Sequence, residues 1–267
     1  MAAADPPGFD AAWLDLREPA DRAARAPGLL AAAAAHLGDG LGLDLGCGTG
    51  ALARAFPPGP RWRLADRDAG LLALAAARTP GAETCRLELA DLDALPLDGV
   101  RLVVASALFD LAAEDWIAGL ADRLAAHGLA LYAALTFDGR LAFDPPIAGD
   151  AAVAAAFRQH MRRDKGLGGP ALGPHAPGAL CAAFRTRGYT VRCADSPWRL
   201  PPGALVSALV EGIAGAAAEA GFVDAPAWGQ ARTATASAAV SVFVGHVDVL
   251  ALPPASAQSK TTSVSSP

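Results

Sequence analysis

The chain has 267 residues, 53% of them hydrophobic, and a formal net charge of -5 at pH 7. That length can bury one sizeable core and is typical of a single-domain α/β protein. An acidic chain offers no general attraction to nucleic-acid phosphates. We therefore expect a small-molecule substrate and no nucleic-acid partner.

Neither a signal sequence nor a membrane span is predicted. The first seven residues lack a basic segment followed by an apolar run, and charge, Gly or Pro interrupts the Ala-rich runs before they reach bilayer-spanning length. We expect a cytoplasmic protein with no membrane contact.

Cysteine spacing argues against a disulfide framework or a zinc site. Cys47, Cys85, Cys181 and Cys193 form no CxxC pair. We predict reduced, buried thiols and no metal.

Strand and helix patterns alternate from residue 41 onward. The predicted strands cover residues 41–45, 62–65, 85–89, 101–105 and 129–137, and the predicted helices between them cover residues 49–55, 69–78 and 114–127. Alternation of this kind predicts an α/β fold with a parallel sheet flanked by helices.

The flanking segments are less regular. Residues 9–37 predict one or two helices broken at Pro27 and Gly28, placed to pack over the ligand edge of the sheet. Beyond the core, the predicted elements are a helix at 150–163, a mobile Gly/Pro-rich loop at 166–178, a helix at 181–187, a strand at 189–194, a helix at 205–220 and a strand at 238–250.

These patterns divide the chain into five parts. We predict a helical segment at 1–40, a ligand-binding core at 41–138, a helical and loop lid inserted after strand five at 139–178, the rest of the sheet at 179–252 and a disordered tail at 253–267.

The first predicted strand runs into a glycine-rich turn, Leu43-Asp44-Leu45-Gly46-Cys47-Gly48-Thr49-Gly50. Glycines at alternate positions let the backbone turn sharply and come close to a ligand. Residues 48–53 also satisfy the GxGxxA form of the dinucleotide fingerprint, so the glycines alone leave two ligand classes open.

Three aspartates at strand ends narrow the choice. Asp44 would repel a pyrophosphate but attract the ammonium of an aminoacyl ligand. Asp66 is placed to accept hydrogen bonds from ribose hydroxyls in either class. Asp91 adds a carboxylate where an adenine amino group would lie, which dinucleotide sites do not require. Capping of the following helices is the simpler alternative for each aspartate.

These motifs resemble the class I S-adenosylmethionine-dependent methyltransferase family over about residues 41–137. The resemblance implies a Rossmann-like, seven-stranded, mostly parallel sheet whose last strand is antiparallel. It also implies that Asp66 holds the ribose, that Asp91 and Leu92 lie at the adenine, and that the methionine moiety is surrounded by Asp44, Gly46, Cys47, Gly48, Thr49 and Gly50.

The family places methionine-side and acceptor-side contacts after strand four, where this chain carries Ser106, Phe109 and Asp110. Many relatives have His or Asn near these positions, so the sequence departs from the common pattern. Asp110 could act as a general base, or it could cap the next helix. In-line transfer from a sulfonium depends mainly on positioning, so a base is not obligatory.

Cations are concentrated before the glycine-rich loop, and they suggest an anionic substrate. The group is Arg158, His160, Arg162, Arg163 and Lys165, and its alternative role is to offset a helix dipole in solvent. Arg17 and Arg25 in the leading segment could bind the methionine or substrate carboxylate, although surface positions are favoured. The scattered histidines, His36, His127, His175 and His246, are assigned to packing or solvent.

Three functions follow, in order of preference. The first is methyl transfer from S-adenosylmethionine, with S-adenosylhomocysteine as product, to an O, N or carboxylate of a small, possibly anionic, metabolite. The second is a non-catalytic adenosylmethionine-binding module, and the third is a nicotinamide-dependent oxidoreductase.

Overall fold

The computed structural model describes residues 10–236 and 240–254. Two helices precede the sheet, α1 (Ala11–Ala24) and α2 (Pro27–Leu37). The Asp10 carboxylate caps α1 by accepting the Ala12 N–H, and Pro27 begins α2 because a proline at the first helical position loses no intrahelical hydrogen bond.

Eight strands form one sheet. They are β1 (Leu41–Leu45), β2 (Arg61–Asp66), β3 (Glu83–Arg86), β4 (Val100–Ser106), β5 (Ala130–Asp144), β6 (Thr190–Asp195), β7 (Trp198–Leu200) and β8 (Ser241–Leu252). Their order is β3-β2-β1-β4-β5-β8-β6, with β7 also paired to β8. Strands β1 to β5 pair in parallel and β8 is antiparallel, so the predicted Rossmann-like sheet is confirmed. The short strand β7 is additional to the seven predicted.

Helices cover both faces of this sheet, namely α3 (Ala69–Arg78), α4 (Glu114–His127), α5 (Asp150–His160), α6 (Ala176–Arg185), α7 (Ala204–Glu219) and α8 (Ala225–Ala236). One apolar core lies between the sheet and α4 with α6, and a second lies between the sheet and α2 with α3. A third core joins α5, α7 and α8 to the ends of β5 and β8 that extend beyond the parallel strands. The carboxyl ends of β1, β2 and β4 therefore open beneath α1 and this third core.

The predicted helix at 49–55 is wrong. The glycine turn is followed only by turns and a short 3₁₀ segment, Ala53–Ala55, because Pro57 and Pro58 come before a regular helix can be completed. Strand β3 ends at Arg86 rather than at residue 89, and helix α8 was not predicted.

The predicted lid also needs correction. Strand β5 continues to Asp144, and α6 begins at Ala176, so neither boundary falls where the composition placed it. The predicted mobile loop is packed against the core: the Ala113 N–H donates to the Leu167 carbonyl at 2.9 Å, and the Leu172 N–H donates to the Ala112 carbonyl at 2.8 Å. Its glycines form tight turns rather than an open loop.

Two further predictions fall at the end of the chain. The expected start of the last strand at residue 238 and almost all of the expected tail, residues 255–267, lie outside the described residues.

The cysteines are not all isolated. The sulfurs of Cys181 and Cys193 lie 2.7 Å apart, and the cysteines of the described residues are free thiols. Cys193 is exposed, so the prediction of a buried thiol is wrong there. Within the described ranges, no helix is both long and apolar enough to cross a bilayer.

Candidate functional site

The glycine turn after β1 has a backbone that only glycine adopts easily. Gly46, Gly48 and Gly50 have φ angles of 63°, 53° and 80°. A Cβ atom at Gly48 would lie 3.0 Å from the Leu14 Cδ1 atom, because α1 packs directly over the turn. A side chain at Gly48 would therefore be strained and would displace the Leu14 side chain.

Asp66, at the end of β2, braces this turn. Its Oδ2 atom accepts the Gly48 N–H at 2.9 Å, and its Oδ1 atom accepts the Asp68 N–H at 3.0 Å. Each carboxylate oxygen keeps one further acceptor position. The carboxylate is thus fixed beside the turn and can still receive hydroxyl donors.

Asp44 is a buried carboxylate whose charge is only partly compensated. Its residue is 1% exposed, and its Oδ2 atom has no hydrogen-bond partner among the described residues. Burial raises its pKa to about 7, and the nearby Arg25 charge opposes that rise. A cation that replaced the lost hydration would favour the ionised form.

Arg25, at the C-terminal end of α1, is 4% exposed, so the expected surface position is wrong. None of its guanidinium nitrogens has a hydrogen-bond partner within the described ranges. An arginine buried without acceptors is costly, and an anion that reached it would supply them. Asp44 and Arg25 together offer an anion and a cation with free bonding capacity.

Asp248 on β8 explains how Arg25 comes to lie there. This buried carboxylate accepts the Ala26 N–H at 2.9 Å, the Tyr132 hydroxyl at 2.8 Å and the Leu135 N–H at 2.8 Å. The Ala26 contact ties the junction between α1 and α2 to the sheet. Arg25, the preceding residue, is thereby held inside the protein.

The sequence suggested that Asp91 ends β3, but the strand ends at Arg86. Asp91 is exposed, follows the strand by several residues and caps a 3₁₀ turn by accepting the N–H groups of Asp93 and Ala94. Leu92 beside it is half-buried. The Trp116 indole N–H fixes this segment by donating to the Leu89 carbonyl at 2.7 Å.

Three smaller residues of the predicted cofactor set lie in the glycine turn, Cys47 and Thr49, and at the end of β4, Ser106. The hydroxyls of Thr49 and Ser106 have no partner in the described part of the chain. The Cys47 thiol is buried, which raises its pKa well above the usual range.

A second group of unpartnered polar atoms lies beyond the end of β4. Asp110 is 5% exposed, and its Oδ1 atom lacks a partner among the described residues. Burial raises its pKa to about 6, and Arg17 opposes the rise. Phe109 instead packs in the core, with its ring centroid 6.2 Å from that of Trp116. Its contact with substrate stays a prediction.

Arg17 projects from α1 toward this group. Its guanidinium makes two hydrogen bonds to the Asp21 carboxylate, at 2.9 and 3.1 Å, and lies 4.9 Å from the centre of the Trp198 ring. The Trp198 indole N–H donates to the same carboxylate at 3.0 Å. Arg17 is thus held in place rather than free at the surface.

His246 on β8 lies beside this group, whereas the sequence analysis assigned it to packing or solvent. Its ring lies 5.3 Å from that of Trp198 and 6.4 Å from that of Phe137, and its Nδ1 atom has no partner in the described residues. Burial lowers its pKa to about 3. Thr136 and Ser196 add buried hydroxyls that have no partner in the part of the chain that the structure describes. We call this group, with Arg17, Asp110 and Trp198, the acceptor chamber.

The cations predicted to bind substrate lie mostly elsewhere. His160 contacts Glu219 of α7 at 3.0 Å, and Lys165 Nζ lies 3.4 Å from the His160 ring. Arg163 also pairs with Glu219. Arg162 is exposed and lines a cavity beside α5.

The donor set of the site is suited to an organic zwitterion. Asp44 and Arg25 provide one charge of each sign, as an amino acid would require. No cluster of three or more His, Cys, Asp or Glu side chains with metal-binding geometry occurs within residues 10–236 and 240–254.

Sequence comparison finds no matching protein-family model and no matching curated protein. Solved structures do match. A candidate methyltransferase from Bacillus halodurans C-125 is 13% identical, with 84% of this chain and 97% of that chain covered at a TM-score of 0.51. The YcgJ protein of Bacillus subtilis is 14% identical, with 85% and 97% covered at a TM-score of 0.49. Sheet order and the first of these similarities agree: this chain has the Rossmann-like fold of class I methyltransferases.

Proposed function

We propose that this chain is an S-adenosylmethionine-dependent methyltransferase acting on a small molecule. The observation that carries the proposal is the pair formed by Asp44 and Arg25, which are buried beside the glycine turn with bonding capacity unused. An amino-acid zwitterion satisfies both groups, because its ammonium would pair with the carboxylate and its carboxylate with the guanidinium.

The rest of the cofactor site follows the strand ends. Asp66 would accept the ribose hydroxyls while it keeps its two backbone contacts. Asp91 and Leu92 would receive the adenine. The turn from Gly46 to Gly50 would let the backbone approach the ligand, with Cys47, Thr49 and Ser106 beside the methionine moiety.

The bound cofactor would supply an activated methyl group on sulfur. Asp110 would hold the acceptor and take its proton, because a carboxyl with a pKa of about 6 is mostly ionised at neutral pH yet basic enough to be protonated. His246 stays neutral and can orient an acceptor hydroxyl or amine. The positive charge of Arg17 would stabilise the ionised form of Asp110.

The geometry is less suited to a dinucleotide. No regular helix begins at the glycine turn, so the helix N-terminus that normally receives a pyrophosphate is missing there. The Asp44 carboxylate would face the same phosphates.

Calorimetric titration with S-adenosylmethionine and S-adenosylhomocysteine tests the proposal. We expect saturable binding of both. If neither binds below millimolar concentration, or if a nicotinamide dinucleotide displaces them, the proposal fails.

Incubation with methyl-labelled donor and a metabolite extract then tests catalysis. We expect label in a small molecule. Cofactor binding without transfer across broad extracts would instead identify a non-catalytic binding module.

A further inference from the structure

A cavity of about 570 Å³ lies between α5 and the segment that leads into α6. Arg158, Gln159, Arg162, Pro174 and His175 line it. We infer that it is a subsite for an anionic group, carboxylate or phosphate, on the methyl acceptor. This inference rests on the proposed function, because it names the substrate class of the same site.

The charges around the cavity are one-sided. Two arginines, a histidine and the Gln159 amide face it, and its lining contains no carboxylate. Glu219, an acid at this end of α5, pairs with His160 and Arg163 rather than with the lining residues. A concave surface with one sign of charge concentrates the opposite charge.

The wall of the cavity is fixed to the sheet. Gly139 of β5 has a φ angle of 90°, and a Cβ atom there would lie 2.9 Å from Pro174 Cβ and 3.3 Å from Arg158 Cδ. The Arg158 guanidinium also reaches the Gly139 carbonyl at 3.4 Å. A side chain at position 139 would therefore displace both lining residues.

The cavity adjoins the acceptor chamber through paired residues. The rings of Phe137 and Phe157 lie 5.6 Å apart, with Phe137 beside His246 in the chamber. Gly139 follows Phe137 by two residues on β5, and Arg158 follows Phe157 on α5. Two residues of strand span roughly 7 Å, so the separation of the two places is within the length of a small molecule.

A second connection runs through the chain beyond Asp110. The Leu172 N–H donates to the Ala112 carbonyl at 2.8 Å, which anchors the Gly173–His175 turn next to the segment that carries Asp110. The acceptor would thus place its nucleophilic atom at Asp110 and its anionic group at Arg158 and Arg162.

Calorimetric titration with inorganic phosphate and with acetate, at constant ionic strength and with S-adenosylhomocysteine bound, tests the inference. We expect saturable binding of at least one probe, about tenfold weaker in Arg162→Gln and weaker still in the Arg158→Gln, Arg162→Gln double variant. The probe that binds with the higher affinity identifies the preferred anionic group. The matched control is Arg185→Gln, an exposed arginine of α6 that does not line the cavity.

Two results would overturn the inference: no saturable binding of either probe by the wild type, or equal weakening in Arg162→Gln and Arg185→Gln. Titration of the same variants with S-adenosylhomocysteine keeps the two proposals apart. If the wild type did not bind S-adenosylhomocysteine, the proposed function would be contradicted. The titrations with phosphate and acetate, repeated without S-adenosylhomocysteine, would still test whether the cavity binds anions.

Discussion

The cofactor end of the site and the acceptor chamber both contain buried polar atoms without partners, but they are assembled differently. At the cofactor end, Asp44 lies in β1 and the glycines lie in the turn that follows it. The chamber draws Arg17 from α1, Asp110 from the end of β4 and His246 from β8. The first is built on consecutive residues that Asp66 of β2 and Arg25 of α1 join, and the second draws all of its residues from separate elements.

The difference teaches where each kind of specificity resides. A cofactor shared by many enzymes can be recognised by a short turn, because its shape is constant. An acceptor that differs between enzymes is met by side chains from separate elements. Arg25 bridges the two cases, since it serves the cofactor end but is positioned through Asp248 of β8.

Asp44→Asn should produce the largest effect on cofactor binding. The ammonium loses its counter-ion and Arg25 is left without a compensating charge, so affinity for S-adenosylmethionine should fall by about 100-fold or more. Calorimetry measures the change. Asp39→Asn, an exposed aspartate just before β1, is the control and should bind normally. Equal affinities in the two variants would contradict the assignment.

Asp110→Asn should impair methyl transfer in the acceptor chamber and leave cofactor binding intact. Loss of the base should slow label transfer to the extract by about 100-fold, while affinity for S-adenosylhomocysteine stays unchanged. Asp98→Asn, exposed before β4, should alter neither quantity. Cofactor affinity that falls together with transfer would show that the chamber is not a separate region.

Arg25→Met should weaken cofactor binding and raise the pKa of Asp44. Affinity should drop by about 30-fold as the charged contact to the cofactor carboxylate is lost. Because the Arg25 charge opposes the rise in the Asp44 pKa that burial causes, its removal should move the loss of affinity to higher pH. Arg22→Met, whose side chain is 60% exposed on the same helix, is the control and should do neither. An unchanged pH profile in Arg25→Met would show that Arg25 does not act on Asp44.

The pH dependence should separate the regions further. The cofactor ammonium pairs with ionised Asp44, whose pKa burial raises to about 7, so affinity should fall as the pH drops below 7, by up to about tenfold per unit. In Asp44→Asn the profile should be flat over this range. A persistent slope there would assign the titration to another group.

Stability of the ligand-free protein should show the smallest effect, with the opposite sign. The raised pKa values of Asp44 and Asp110 mean that the folded state keeps protons that the unfolded state releases above about pH 4. These two carboxyls should therefore lower the thermal midpoint as the pH rises from 4 toward 7, while His246, whose pKa burial lowers, acts in the opposite direction. The midpoint of the Asp44→Asn, Asp110→Asn double variant should consequently rise relative to that of the wild type over this range.

Much of the core fold could be predicted from local sequence. Helices α3 and α4 begin and end at the predicted residues because Asp68 caps one and Gly128 ends the other in a left-handed conformation. The helix predicted at 49–55 was wrong because the prediction used the apolar pattern alone and did not take into account the prolines that follow.

The acceptor chamber could not be predicted in the same way. His246 and Asp248 are polar residues in an otherwise apolar strand, which was a usable signal, but their partners come from distant segments. Arg17 and Arg25 looked like surface charges because burial depends on how α1 packs, which spacing alone does not specify.

The most direct test compares two nucleosides that differ in the amino-acid moiety. The account predicts that the wild type binds S-adenosylhomocysteine far more tightly than 5′-methylthioadenosine, and that combined Asp44→Asn and Arg25→Met substitutions remove most of that difference. If the wild type bound both nucleosides equally well, Asp44 and Arg25 would not recognise an amino acid, and the account would be contradicted.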